Sequence, residues 1–229
     1  MLTKRKKLSR KEIKEDKLVT AYYKAIAFFE ENKNRIAIYA GILAVVILAI
    51  VLFMNNRKKN NELAGTELSR IMNSYDSGNY LEAIEGRAGT KLIGLKKLVD
   101  SYGSTENGEI AKIYIANAYN NLGKLDDAYK YYQDYSGSNK IFKATALAGQ
   151  ASYQAYNKNY EKAADLYKKA ASVSDADALN PEYLLHAGIC YMSAGNNSDA
   201  KELFDIIKKD YKTSTAFREI DKYSTQIEQ

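Results

Sequence analysis

Leu184–Phe204 reads LLHAGICYMSAGNNSDAKELF. Leu184, Ala187, Gly188 and Tyr191 recur at helical steps of three and four before a turn at Gly195, and Ala200 and Phe204 follow it one helical turn apart. Two helices paired across a glycine turn need this exchange of sizes. Small residues let the backbones approach, and aromatics fill the space left between neighbouring hairpins. The stretch therefore predicts a helical hairpin.

The same grammar recurs upstream. SGNYLEA (77–83), LGKLDDA (122–128), NKNYEKA (157–163) and AGNNSDA (194–200) each place a polar or glycine turn before an alanine. Those alanines, Ala83, Ala128, Ala163 and Ala200, stand 45, 35 and 37 residues apart. A period near 34 with a small residue and a Tyr on the first helix, then Ala and an aromatic on the second, resembles the tetratricopeptide repeat. The second copy supplies Ala116, Tyr119, Gly123, Ala128 and Tyr132. The third is looser, with Tyr153 and Tyr156 straddling the aromatic position. The first is longer and contains Gly86, Gly89 and Gly94, which predicts a broken or shifted second helix. Residues 215–228, with Phe217, Ile220 and Ile227 among charges, suit a capping helix with a wet outer face. The one proline, Pro181, falls where a helix should start. No alternating strand pattern appears. The expected class is all-α: one N-terminal transmembrane helix, then a tetratricopeptide-repeat-like solenoid of about four hairpins with a C-terminal capping helix.

The span is expected at residues 36–54. From Ile36 to Phe53 there is no charge, and twelve of eighteen residues are Ile, Leu, Val or Phe. At 1.5 Å per residue such a run covers about 27 Å, close to a hydrocarbon core. Thirty-five residues precede it and Leu52-Phe53-Met54-Asn55-Asn56 has no small-x-small cleavage pattern, so an anchor is expected rather than a cleaved signal. Residues 1–35 carry eleven Lys/Arg against five acids; of the 34 and 28 in the whole chain, 23 of each sign remain after position 35. The heavier basic flank places the N-terminus in the cytoplasm and exports the remainder, although Arg57-Lys58-Lys59 follow the span. The resulting division is 1–35 as basic cytoplasmic tail, 36–54 as span, 55–66 as linker and 67–229 as repeat domain. A neutral repeat domain lacks the basic face that nucleic-acid binding requires.

Within the tail, Ser9-Arg10-Lys11-Glu12 reads as a capping box. Leu18, Ala21, Tyr22, Ala25, Phe28 and Phe29 continue as an amphipathic helix. Two readings fit that helix: a segment lying on anionic headgroups, or a docking surface for another membrane protein.

With tail, span and repeats assembled, the chain resembles the YfgM family of bacterial inner-membrane proteins. AIAFFEENKNRIAIYAGILA (25–44) carries the resemblance, followed in order by SGNYLEAI (77–84) and LVDSYGSTENGEIAKIYIANAYNNLGKLDDA (98–128). The resemblance implies a single-span protein with a periplasmic repeat domain. It implies association with the Sec translocon and with periplasmic chaperones or emerging client chains, and no catalytic motif. The expected function is thus a non-enzymatic scaffold, with no cofactor, metal, nucleic acid or small-molecule substrate. An adaptor for cell-division or wall assembly is the alternative within that class. An envelope enzyme would have to use Cys190 and His186, the only thiol and imidazole, four residues apart on one expected helix; ordinary helix packing also explains the pair. For partner binding, Asn117, Asn120 and Asn121 share one face of a first helix, where side-chain amides can bond an extended peptide's backbone. The clustered Tyr129, Tyr131, Tyr132 and Tyr135 read chiefly as packing between repeats.

Overall fold

One backbone device closes all four hairpins. In the computed structural model, which describes residues 10–227 and side chains from Lys17 onward, the first helix of each hairpin ends on a left-handed residue. These are Gly78, Gly123, Lys158 and Gly195, with φ of 76°, 72°, 63° and 83°. The same pair of hydrogen bonds surrounds each one. The left-handed N–H donates to the carbonyl three residues back: Gly78 to Tyr75, Gly123 to Asn120, Lys158 to Ala155 and Gly195 to Met192, at 2.9–3.0 Å. The next N–H donates five residues back: Asn79 to Ser74, Lys124 to Tyr119, Asn159 to Gln154 and Asn196 to Tyr191, at 2.8–2.9 Å. This is the Schellman closure, which satisfies carbonyls a helix end leaves open. The N–H groups of Ala83, Ala128, Ala163 and Ala200 then open the second helix by bonding the carbonyls of Asn79, Lys124, Asn159 and Asn196. All four alanines are buried.

Ten helices and no strand occur among the described residues. The chain divides into two compact units, residues 1–56 and 57–229. The first helix, α1 (Arg10–Asp76), contains an 18-residue window of mean hydropathy 3.0, none of it buried against protein. That helix is long and apolar enough to cross a membrane. The expected capping box at Ser9–Glu12 lies outside the residues whose side chains are described.

Residues 55–66, expected as a linker, are helical and belong to α1. An apolar stripe starts near their C-terminal end and continues beyond residue 66. Ala64, Leu68 and Ile71 recur at steps of four and three, and all three are buried in the second unit's core. Asn61 fastens the stretch further: its Oδ1 accepts from the Asn107 N–H at 2.8 Å, and its carbonyl accepts from the Asn107 side chain at 2.9 Å.

In the second unit the end of α1 forms the first hairpin with the short α2 (Tyr80–Glu85). The predicted break follows. Gly86 and Gly94, at φ of 82° and 78°, pass so closely that a Cβ on either would overlap the other's backbone. The chain resumes as α3 (Leu95–Tyr102). The remaining hairpins are α4 (Glu106–Asn121) with α5 (Leu125–Asp134), α6 (Lys140–Tyr156) with α7 (Tyr160–Ala171), and α8 (Asn180–Ser193) with α9 (Asn197–Asp210). Thr105 caps α4 by accepting from the Gly108 N–H, and Asn139 caps α6 by accepting from those of Ile141 and Phe142. Pro181 stands in the first turn of α8, as expected. The capping helix is α10 (Thr215–Ile227), which buries Ala216 and Ile220 against α8 and α9.

From α4 to α9, each helix packs on its neighbours in sequence, the order of a solenoid. The size exchange is visible at two places. A Cβ on Gly188 of α8 would overlap the Phe204 ring of α9, and one on Gly149 of α6 would overlap the Tyr132 ring of α5. The first contact joins helices within a hairpin; the second joins one hairpin to the next.

Lys158 is the one side-chain-bearing residue among the four left-handed positions, and a left-handed backbone costs such a residue roughly 1–2 kcal/mol. Lys158→Gly should therefore stabilise the fold by about 0.5–1 kcal/mol once glycine's unfolded-state entropy is included, and Gly195→Ala should destabilise it. Thermal or urea unfolding of the two variants checks both signs.

Candidate functional site

The three expected contact residues lie together on α4, but they are not equivalent. Asn117 is half-buried and its Oδ1 accepts from the Tyr132 hydroxyl at 2.6 Å, an anchor for α5. Asn121 donates its amide to the Asn117 carbonyl at 2.9 Å, within the same helix. Asn120 is exposed and lines a small cavity between α4, α5 and α6. An uninterrupted ladder of free amides is not what the face presents.

Tyr129, Tyr131 and Tyr132 of α5 and Tyr135, just past its end, are each engaged. Tyr132 is 6% exposed, and burial raises its hydroxyl pKa. Tyr131 stacks on Tyr119 with centroids 5.9 Å apart, Tyr129 stacks on Tyr153 at 4.1 Å, and the Tyr135 hydroxyl donates to the Asn139 carbonyl. Four rings within seven residues point in different directions and still all pack, because α5 has a neighbour on each side: α4 and α6.

A buried ion cluster was not anticipated from the sequence. Lys112 of α4 bonds Glu109 Oε1 at 2.9 Å and reaches both the carboxylate and the carbonyl of Asp134, at 2.9 and 3.1 Å. Glu109 also accepts from the Ser136 N–H at 2.7 Å and from its hydroxyl at 3.0 Å. Desolvation opposes the Lys112 charge, but the hydrogen bonds to Glu109 and Asp134 outweigh it and raise the ammonium pKa. The cluster ties α4 to the end of α5 and to the connection toward α6. Only the i, i+3 spacing of Glu109 and Lys112 was visible in advance, and on most helices that spacing marks a solvated pair.

Cys190 and His186 share α8 but not an environment. Cys190 is buried, and desolvation pushes its thiol pKa up to about 11. His186 is exposed and stacks on Tyr167 at 5.3 Å. A nucleophilic cysteine needs the opposite shift, toward the thiolate. Among the described residues no group of three or more His, Cys, Asp or Glu side chains is placed to hold a metal ion.

Residues 182–214 match the tetratricopeptide repeat family. The matched segment covers α8 from Glu182, the Gly195 turn and α9. The other three hairpins share that turn's hydrogen bonds. No curated protein and no solved structure matches the chain. Repeats of this kind suit protein–protein interaction, since stacked hairpins expose an extended face to a partner.

Lys112→Met leaves Glu109 buried without its counter-ion and should cost roughly 3–5 kcal/mol, much of it recovered in Glu109→Gln/Lys112→Met. Because the Lys112 pKa is raised in the fold, its contribution is fully present below about pH 10.4 and is lost as pH climbs through the folded value. Urea unfolding of wild type and Lys112→Met should thus show a constant gap from pH 6 to 9 that narrows in strong alkali. Cys190 should react with a disulfide reagent at pH 7.5 at least about 100-fold more slowly in the native protein than in urea, since the thiolate is scarce and covered. A native rate equal to the unfolded one would overturn the buried-thiol assignment.

Proposed function

We propose that this protein is a membrane-anchored, non-enzymatic scaffold whose repeat domain recruits other proteins on the exported side of a bacterial inner membrane. The observation that carries the reading is the union, in one chain, of an uncovered apolar helix and an interaction repeat. The proposed division is a basic cytoplasmic tail at 1–35, the span at 36–54 and the repeat domain from 67 to 229, entered through the helical residues 55–66. The charge imbalance supports the orientation: eleven basic residues precede the span, whereas the domain beyond it is balanced.

The resemblance to the YfgM family sharpens the partner. On it, the scaffold links the Sec translocon to periplasmic chaperones or to chains emerging from the channel. The exposed face of α4 around Asn117, Asn120 and Asn121 is the proposed contact surface, with Asn120 the one whose side chain is free to meet a ligand and Asn117 holding the face in shape.

A pair of reporter fusions at Gln229, one active only in the periplasm and one only in the cytoplasm, should give signal from the periplasmic reporter alone. Cytoplasmic signal would end the proposal. Crosslinking in intact membranes should recover translocon subunits or periplasmic chaperones; recovery of wall-synthesis proteins alone would reassign the scaffold to a different complex.

A further inference from the structure

The cavity beside Asn120 has a composition that core packing alone does not require. It encloses about 90 Å³, and its wall includes Tyr129, Tyr132, Tyr153 and Tyr156. None of the lining residues is a lysine or arginine. The rings are held in place. Tyr129 and Tyr153 stack at 4.1 Å with planes 15° apart, and Tyr132 is pinned by its bond to Asn117 and by its seat on Gly149. The Tyr129 hydroxyl accepts from both Gln133 and Gln154 at 3.1 Å. Tyr156 is 70% exposed, so its ring is not spent on the core.

One wall residue carries a bonded carboxylate. The Tyr153 hydroxyl donates to Asp126 Oδ1 at 2.6 Å, which sets a carboxylate beside the Tyr153 wall and raises electron density in the ring. Lys130, the nearest cation along α5, pairs with Asp127 instead. Elsewhere the protein satisfies an aromatic face internally: Lys96 and Lys124 lie over the Tyr119 ring, 5.8 and 5.9 Å from its centre. Among the described residues, no cation lies over Tyr129, Tyr132, Tyr153 or Tyr156. Aromatic faces carry negative potential, and walls of several rings select positively charged groups.

We propose that this cavity binds the cationic end of a lysine or arginine side chain presented by a partner polypeptide. The volume suits an ammonium head with its last methylenes, and Asp126, bonded to the Tyr153 hydroxyl, supplies the counter-charge. The fixed rings reduce the ordering cost of binding. The assignment rests on the protein-interaction reading and gives it a chemical specificity: a basic side chain, read at the junction of the second and third hairpins.

The test uses the full chain in detergent micelles, with ring-labelled tyrosine followed by NMR. The probes are N-acetyl-lysinamide and N-acetyl-argininamide, against N-acetyl-norleucinamide as the neutral aliphatic control. The cationic probes should move the Tyr153 and Tyr156 ring signals at concentrations where the norleucine probe does not. Tyr156→Leu, which keeps apolar bulk at an exposed position, and Asp126→Asn should each weaken that response roughly three- to tenfold. Equal or tighter binding of the norleucine probe would make the cavity an aliphatic pocket and overturn the proposal. Absence of any response would make it a packing void and overturn it too. Partner capture by crosslinking with no probe response would sink the cage alone, whereas probe response without partner capture would fall on the scaffold reading.

Discussion

The left-handed residue at the end of each first helix is the constraint on which the repeat domain depends. It reverses the chain in very few residues while two N–H groups close on the helix behind it, so the second helix always departs in the same direction. From that geometry the buried alanine follows, because the second helix leaves so close to the first that only a methyl group fits. The aromatic one turn further on follows as well: beyond the tight entry the helices part, and Phe204 or Tyr132 fills the gap. Where the rule is bent, the structure changes visibly. The first hairpin has Arg87 where the others carry an aromatic, and its second helix stops after six residues.

Polar interactions then distinguish one repeat from another. Apolar packing treats the hairpins as interchangeable units, but Glu109 and Lys112 are buried only at the second, where α4 meets the connection between α5 and α6. A buried pair of this kind contributes little net stability compared with apolar side chains of the same volume. Its geometry is demanding, though, since each partner has three bonds to make. The Tyr132–Asn117 and Tyr191–Asp165 bonds act similarly, each anchoring a ring that also packs. The surface offered to a partner is therefore uneven along the solenoid, and the tyrosine-walled cavity between the second and third hairpins is one expression of that.

Much of this was legible in the residues. The period of the alanines marked the hairpins, the three glycines after Ala83 marked the interruption, and Pro181 marked the start of α8. Residues 55–66 read as a linker because they are a run rich in Asn, Lys and Glu; their helical continuity shows only when Ala64 is read together with Leu68 and Ile71 beyond them. Asn117, Asn120 and Asn121 all fall on α4, but nothing in their spacing reveals that Asn117 is held by a tyrosine fifteen residues away.

The sequence by itself determined the class and the order of parts: a basic tail, an apolar helix and helical repeats. These follow from composition and short-range periodicity, which act within a few residues and need no knowledge of the partner surface. Only the tertiary structure decided which side chains remain available. Whether an asparagine is free, a lysine is buried beside a glutamate or a tyrosine faces a cavity depends on what the adjacent hairpin brings against it. Those neighbours lie a repeat away in sequence, beyond the reach of any local pattern.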